Sequence, residues 1–320
     1  MEPVRLGLLS TARINEAILS GAAGTDRVRV DAVASRDAAR AEAYAKTHGI
    51  ERAHGSYDAL LDDDDIEAVY ISLPNSLHVE WSLRALDAGK HVLCEKPFDR
   101  RPERVEQAFD AAEAAGRVLM EAFMYRHHPQ TRRLQEIVRS GAIGELRFIL
   151  GSFIAPISDP ENVRMRPELD GGALMDLGCY CVSGARMLAG EPEVVFGQQA
   201  EGATGVDVRF AALMRFPGDV LAEIDCAFEM PYGTGLEAIG SEGSAFVQWP
   251  WTCQEPAIAL KRDGRTEHIE VEDIDRYMLQ LQNFAAAVRG EDEPLLGRSD
   301  GVGQARALQK LYGSAGVSRA

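Results

Sequence analysis

The stretch HVLCEKPFDR, residues 91–100, runs from a short apolar strand into a glutamate, a lysine and a proline. Proline lacks an amide hydrogen and cannot extend a ladder, so the strand ends there with two opposite charges at its carboxyl end. Four similar apolar runs surround it: VRLGLLS (4–10), VRVDAVAS (28–35), EAVYISLP (67–74) and RVLMEAF (117–123). Helical patterns at 12–23, 36–47, 76–88 and 102–115 separate them. Strand–helix alternation of this kind builds a doubly wound parallel sheet covered on both faces, an α/β Rossmann arrangement over residues 1–123.

Beyond that point the pattern changes. HPQTRRLQEIVRSGAIGEL reads as a helix stopped by glycine, RFILGSFIA as a strand and GGALMDLGCYCVSGARMLAG as a buried helix. From 194 to 270 come successive β-like runs, five of them distinct and joined by short Gly, Pro and Asp turns, and helices at about 274–289 and 298–314 close the chain. Residues 124–320 are therefore expected to form a second α/β domain on a large, open, mostly antiparallel sheet, with the last helix able to pack back on the Rossmann domain.

Composition agrees with two soluble domains: 320 residues exceed one ordinary core, and 46% hydrophobic with 26% charged residues is a globular balance. No apolar run approaches the roughly 20 residues of a spanning helix, and MEPVRLGLLS enters a strand at once, so a cytoplasmic protein is expected. The net charge of −16 argues against nucleic acid or an anionic membrane as partner. Five scattered cysteines and no C-x-x-C or H-E-x-x-H spacing point to reduced core thiols and no metal site. Only five of the 34 basic residues are lysine, which suits a high-salt cytoplasm and high-GC codon usage alike.

In a doubly wound sheet the ligand lies outside the carboxyl ends of the strands, so four strand ends carry the functional reading. GLLSTARI (7–14) has small residues at the dinucleotide-fingerprint positions, Gly7, Ser10 and Ala12, and with Thr11, Arg13 and Ile14 it can bring a pyrophosphate to a helix N-terminus. Only the first of the three is glycine, and an ordinary tight turn is the plain alternative. After the second strand an NAD enzyme carries an acid for the ribose hydroxyls, whereas Ser35 and Arg36, with Arg40 a turn later, suit a 2′-phosphate. Asp37 reads as the N-terminal acid of the next helix. In SLPNSLHVEW (72–81) Leu73 and Pro74 end the strand, Asn75 or Ser76 can cap the following helix near the nicotinamide ribose, and His78 is either a site residue or a satisfied surface histidine.

The fourth end is Glu95-Lys96-Pro97. Combined with MEAFMYRHHPQ and with D-x-x-x-Y at Asp176 and Tyr180, it resembles the Gfo/Idh/MocA oxidoreductases over nearly the whole chain. The resemblance implies an NAD(P)-dependent enzyme in which Lys96 lies at the reacting carbon and Glu95 and Pro97 line the nicotinamide end. Tyrosine in place of the more frequent histidine at 180 matches the branch of dihydrodiol dehydrogenases, NADP-dependent xylose dehydrogenases and nucleotide-ketosugar reductases. The glycine-rich entry to that helix is altered to DGG (170–172).

The chemistry is consistent with these residue types. Oxidising a carbinol needs a base for the hydroxyl proton, and a free phenol with pKa about 10 is too weakly acidic until an ammonium lowers it. Lys96 can stabilise phenolate on Tyr180, and Asp176, four residues earlier, shares a helix face with it and can orient a sugar or hold Lys96. Tyr125 and His128 are expected to line the pocket, His127 to be structural or exposed, and Arg164 to contact substrate or cofactor. The expected activity is hydride transfer between NADP, with NAD the weaker alternative, and a sugar carbinol, an aldose 1-dehydrogenase of the D-xylose type. A ketosugar reductase or dihydrodiol dehydrogenase is the first alternative, and a non-catalytic sugar or nucleotide sensor the second. The resemblance also implies a homodimer or homotetramer through the second sheet, whose strands carry apolar residues at alternating positions with few charges on one side, one face for helices and the other for a partner subunit.

Overall fold

The computed structural model describes residues 2–316; Met1 and residues 317–320, the outer ends of the two expected domains, lie outside the described residues. The chain divides into two compact units, one of residues up to Met124 together with Asp275–Val302, the other of Tyr125–Ile274 and the residues from Gly303 on.

The first unit holds six strands, β1 (Val4–Leu8), β2 (Val28–Ala34), β3 (Arg52–His54), β4 (Ala68–Ile71), β5 (His91–Glu95) and β6 (Leu119–Ala122). They pair in parallel in the order β3-β2-β1-β4-β5-β6, the strand order of a dinucleotide-binding sheet with its reversal beside β1. Helices α1 (Asn15–Ala23), α2 (Ala38–His48), α3 (Tyr57–Leu61), α4 (His78–Asp87) and α5 (Pro102–Ala115) form the connections. Every side chain of β4 is buried, as a sheet covered on both sides requires. Asp37 caps α2, accepting from the amides of Ala39 and Arg40 at 3.0 and 3.3 Å, as its place in the sequence suggests. Neither Asn75 nor Ser76 caps α4: residues 75–77 form a tighter turn and the helix begins without a side-chain cap.

In the second unit α6 (Pro129–Arg139) precedes β7 (Leu146–Ile154), and a π-helical turn, Leu174–Gly178, leads into α7 (Cys179–Ala189). Strands β8 (Val194–Glu201), β9 (Asp207–Phe216), β10 (Val220–Ala227), β11 (Gly233–Gly240), β12 (Gly243–Val247), β13 (Ala257–Arg262) and β14 (Arg265–Glu270) join β7 in an eight-stranded sheet of order β14-β13-β12-β11-β7-β10-β9-β8. Only β7 and β10 run parallel; the other pairs are antiparallel.

The β13–β14 hairpin goes beyond the sequence reading. Its strands are mostly exposed and charged, so alternation is weak, and the signal is the turn Asp263-Gly264, both at positive φ (52° and 71°) as a two-residue hairpin loop demands. The domain boundary also differs from the expected one. Helix α8 (Arg276–Val288) packs on α1 and belongs with the first unit, as does the first turn of α9 (Arg298–Ser314). Arg298 there is held by Asp110 and Glu113 of α5.

Candidate active site

Strand ends of the first unit carry one set of candidate residues. Gly7 is covered by α3: a Cβ there would come within 2.8 Å of Leu60 Cδ2, so this fingerprint glycine serves close packing. Ser10 is buried, its Oγ accepting from the Ala12 amide at 3.1 Å. Among the described residues the amides of Thr11, Arg13 and Ile14, at the head of α1, have no hydrogen-bond acceptor. Free amides at a helix start are the donors an anion takes.

At the end of β2, Ser35 is buried and accepts from the Asp37 amide at 3.2 Å, while Arg36 and Arg40 are exposed. With the Asp37 carboxylate committed to α2, this turn offers a hydroxyl and two guanidinium groups rather than an acid for a ribose. These residues fit a cofactor with a 2′-phosphate.

His78 is buried, with its ring nitrogens 2.8 Å from the Leu73 carbonyl and 2.9 Å from the Pro97 carbonyl. It ties the loop after β4 to the turn after β5, and burial holds its pKa below the ordinary histidine value. Sequence reasoning left it as a site residue or a satisfied surface histidine; it is buried, which excludes the surface alternative, and both ring nitrogens brace the loop. Pro74 and Asn75 follow on that loop. The Lys96–Pro97 peptide is cis, Phe98 donates its amide to Glu121 at 2.8 Å, and Glu95 accepts from the buried Tyr70 hydroxyl. Tyr277, from α8, is a further neighbour that sequence reasoning missed: burial and then the Glu95 charge push its phenol up to about 12.

The second unit carries its own set of candidate residues. Tyr180 opens α7 within a ring of aromatics, with centroids of Phe153, Tyr125 and Trp251 at 5.4, 5.7 and 6.1 Å. Tyr125 donates to Ser183 at 2.8 Å and Trp251 to the Ser152 carbonyl at 2.9 Å, so both rings are fixed. Phe153 and Trp251 were not singled out from the sequence; buried aromatics carry no local functional signal. Asp176 sits in the π turn, a feature that recurs at functional sites. Arg164 Nε lies 2.7 Å from its Oδ2, which joins two residues proposed separately.

The DGG entry also has a physical reason. Gly172 takes φ 130°, and a Cβ there would fall 2.1 Å from Asp207 Oδ1. That buried carboxylate accepts from the Leu174 amide at 2.7 Å and from the Tyr312 hydroxyl at 2.9 Å, anchoring the segment that carries Asp176. His128 caps α6 through Nδ1, 3.1 Å from the Gln130 amide. His127 is buried, which excludes the exposed alternative, and burial followed by the Arg132 and Arg126 charges lowers its pKa to about 3. All five cysteines are buried thiols. Among the described residues no cluster of His, Cys, Asp and Glu could hold a metal ion, and no helix is long and apolar enough to cross a membrane.

Two family models match. Residues 7–123 match the oxidoreductase family with an NAD-binding Rossmann fold, and residues 131–246 the GFO/IDH/MocA C-terminal domain. The chain is 37% identical to a D-xylose 1-dehydrogenase (NADP(+)) of Haloferax volcanii, over 97% of this chain and 96% of the relative. It is 36% identical to a dTDP-3,4-didehydro-2,6-dideoxy-α-D-glucose 3-reductase of Streptomyces violaceoruber, covering 93% and 90%. Among solved structures, a 3-ketoreductase from Actinomadura kijaniata in complex with NADP and TDP-benzene superposes with TM-score 0.92 at 32% identity, covering 98% of both chains. The match of both domain models and of full-length relatives has one conclusion: the chain belongs to the Gfo/Idh/MocA oxidoreductase family.

Proposed function

We propose that the substrate is a sugar and the reaction oxidation of the C1 hydroxyl of an aldose, of the D-xylose type. The observation that carries this reading is the Asp176–Arg164 ion pair one turn before a Tyr180 enclosed by aromatic rings. A carboxylate accepts from sugar hydroxyls, aromatic faces cover the apolar side of a pyranose, and the phenol exchanges the proton. The xylose dehydrogenase relative, similar over almost the full length of both chains, supports the same substrate class.

In this reading NADP⁺, when bound, would supply the hydride acceptor for the carbinol carbon. Tyr180 takes the hydroxyl proton, and the Lys96 ammonium stabilises the phenolate that this requires. Thr11, Arg13 and Ile14 amides bind the pyrophosphate, and Ser35, Arg36 and Arg40 the 2′-phosphate. Variants of the Actinomadura reductase have been solved with a tyrosine changed to phenylalanine and with a lysine changed to alanine or glutamate. Those two residues are separated by the same number of positions as Lys96 and Tyr180 here, which supports giving this pair the chemistry.

A ketosugar reductase is the second reading, favoured by the nucleotide-sugar relatives. Purified protein assayed with NADP⁺ on pentoses, hexoses and dihydrodiols, and with NADPH on a dTDP-ketosugar, separates the two. Turnover of pentose with kcat/KM at least tenfold above the other classes supports the proposal; a preference for the nucleotide sugar replaces it. Tight NADP binding with no turnover in any arm would mark a sensor.

A further inference from the structure

Three polar side chains close a buried ring of hydrogen bonds across the ends of β1 and β4. Asn15 is fully buried, and Ser10 and Ser72 are buried with it. Asn15 Nδ2 donates to the Ser10 carbonyl at 2.7 Å, and Ser72 Oγ donates to Asn15 Oδ1 at 2.7 Å. With the Ser72 hydrogen so used, Ser10 Oγ gives its own to Ser72 Oγ at 2.7 Å and accepts from the Ala12 amide at 3.1 Å. The Ser10 hydroxyl also lies 3.2 Å from the Ser72 carbonyl, and the Ser10 carbonyl sets the amide orientation of Asn15: reversed, two carbonyl oxygens would face each other.

Burying three polar side chains is costly unless each is bonded, so a closed ring is an arrangement with a consequence. Its consequence is mechanical. The turn from Thr11 to Ile14 is fastened on one side by Ser10 and on the other by Asn15, the first residue of α1. Position 10 is one of the three places in this turn that the sequence fills with a small residue. A glycine there leaves room for the backbone to approach a pyrophosphate; here side chains pointing inward do the shaping. The structure assigns Asn15 and Ser72 as positioning residues that keep the Thr11, Arg13 and Ile14 amides available to the cofactor pyrophosphate. This assignment rests on the proposed NADP cofactor alone and is independent of the substrate.

The test is cofactor binding, read by NADPH and NADH fluorescence on folded Ser72→Ala, Asn15→Ala and Ser72→Thr proteins. Each alanine variant loses two buried hydrogen bonds of the ring and should weaken both cofactors by about tenfold or more. The NADPH-to-NADH ratio should stay that of the wild type, because both cofactors share the pyrophosphate. Ser72→Thr, which keeps the hydroxyl, should bind within about threefold of wild type. A role in stability alone would lower Tm and leave the affinity of the folded fraction unchanged. Should Asn15→Ala not fold, Ser72→Ala, which deletes one oxygen, decides. Wild-type affinity in folded Ser72→Ala, or a change confined to NADPH, overturns the assignment.

Discussion

The buried phenol of Tyr70 on β4 donates its hydrogen to the Glu95 carboxylate on the neighbouring strand β5. Burial, and then the Glu95 charge, push the Tyr70 pKa well up, so the phenol remains a donor at every working pH. The turn that carries Lys96 is therefore braced from behind. Tyr70→Phe deletes one donor to a carboxylate and should cost about 1–3 kcal/mol of folding stability, measured by urea unfolding at pH 7.5. A loss below about 0.5 kcal/mol would show that the bond braces nothing.

Lys96→Met and Tyr180→Phe should each lower kcat by roughly a hundredfold to ten-thousandfold while NADPH still binds. If the two residues act as one unit, the double variant is little worse than the worse single. Near-normal turnover of either single variant, with folding verified, places the chemistry elsewhere.

Arg36→Ala should weaken NADPH tenfold to a hundredfold, the worth of a charge-assisted phosphate contact at about 1.5–3 kcal/mol, and leave NADH nearly unchanged. Equal losses for both cofactors would show that Arg36 does not read the 2′-phosphate.

The helix-free face of the second sheet exposes Val194, Phe196, Leu213 and Leu221, with Phe196 and Leu213 directly opposite on β8 and β9. Phe196 and Leu213 are 55% and 54% exposed, in a patch that should not stay wet. Light scattering should give a dimer or tetramer mass at micromolar concentration, and Phe196→Glu with Leu213→Glu should give a monomer. A monomeric wild type in physiological and in high salt refutes this use of the face.

Acid should destabilise the fold through two buried histidines. His127 is lowered to about 3 by burial, and His91, whose Nδ1 accepts the Val118 amide at 2.9 Å, to about 4, also by burial first. Both are neutral in the folded chain, whereas an unfolded histidine protonates near 6.5. The unfolded state binds more protons below that value, so stability present above pH 6.5 is lost as pH falls toward 4, at about 1.4 kcal/mol per pH unit for each ring. Neither ring nitrogen of His127 has a partner among the described residues, so His127→Leu should remove its share of the slope. An unchanged slope in that variant would rule the group out.

Local pattern carried most of the architecture. Strand–helix alternation, the acid-free end of β2, the Asp37 cap and the span of α9 can each be read within about a dozen consecutive residues, because periods of 2 and 3.6 are properties of the chain itself. The roles of Asn15, Ser72 and Tyr70 could not be read in that way. Ser10 and Ser72 lie 62 positions apart, Tyr70 and Glu95 25, and a serine or tyrosine in isolation says nothing of its partner. The same holds for α8, whose apolar face shows that it must be covered but not by which element, and for Arg164, expected at substrate or cofactor and placed by folding on Asp176. Sequence alone determined most of the elements and pointed to the strand ends where chemistry is proposed, since those depend on neighbours along the chain. Tertiary structure decided what holds those ends in place, because a buried polar group is satisfied by whichever donor or acceptor the fold brings within about 3 Å of it.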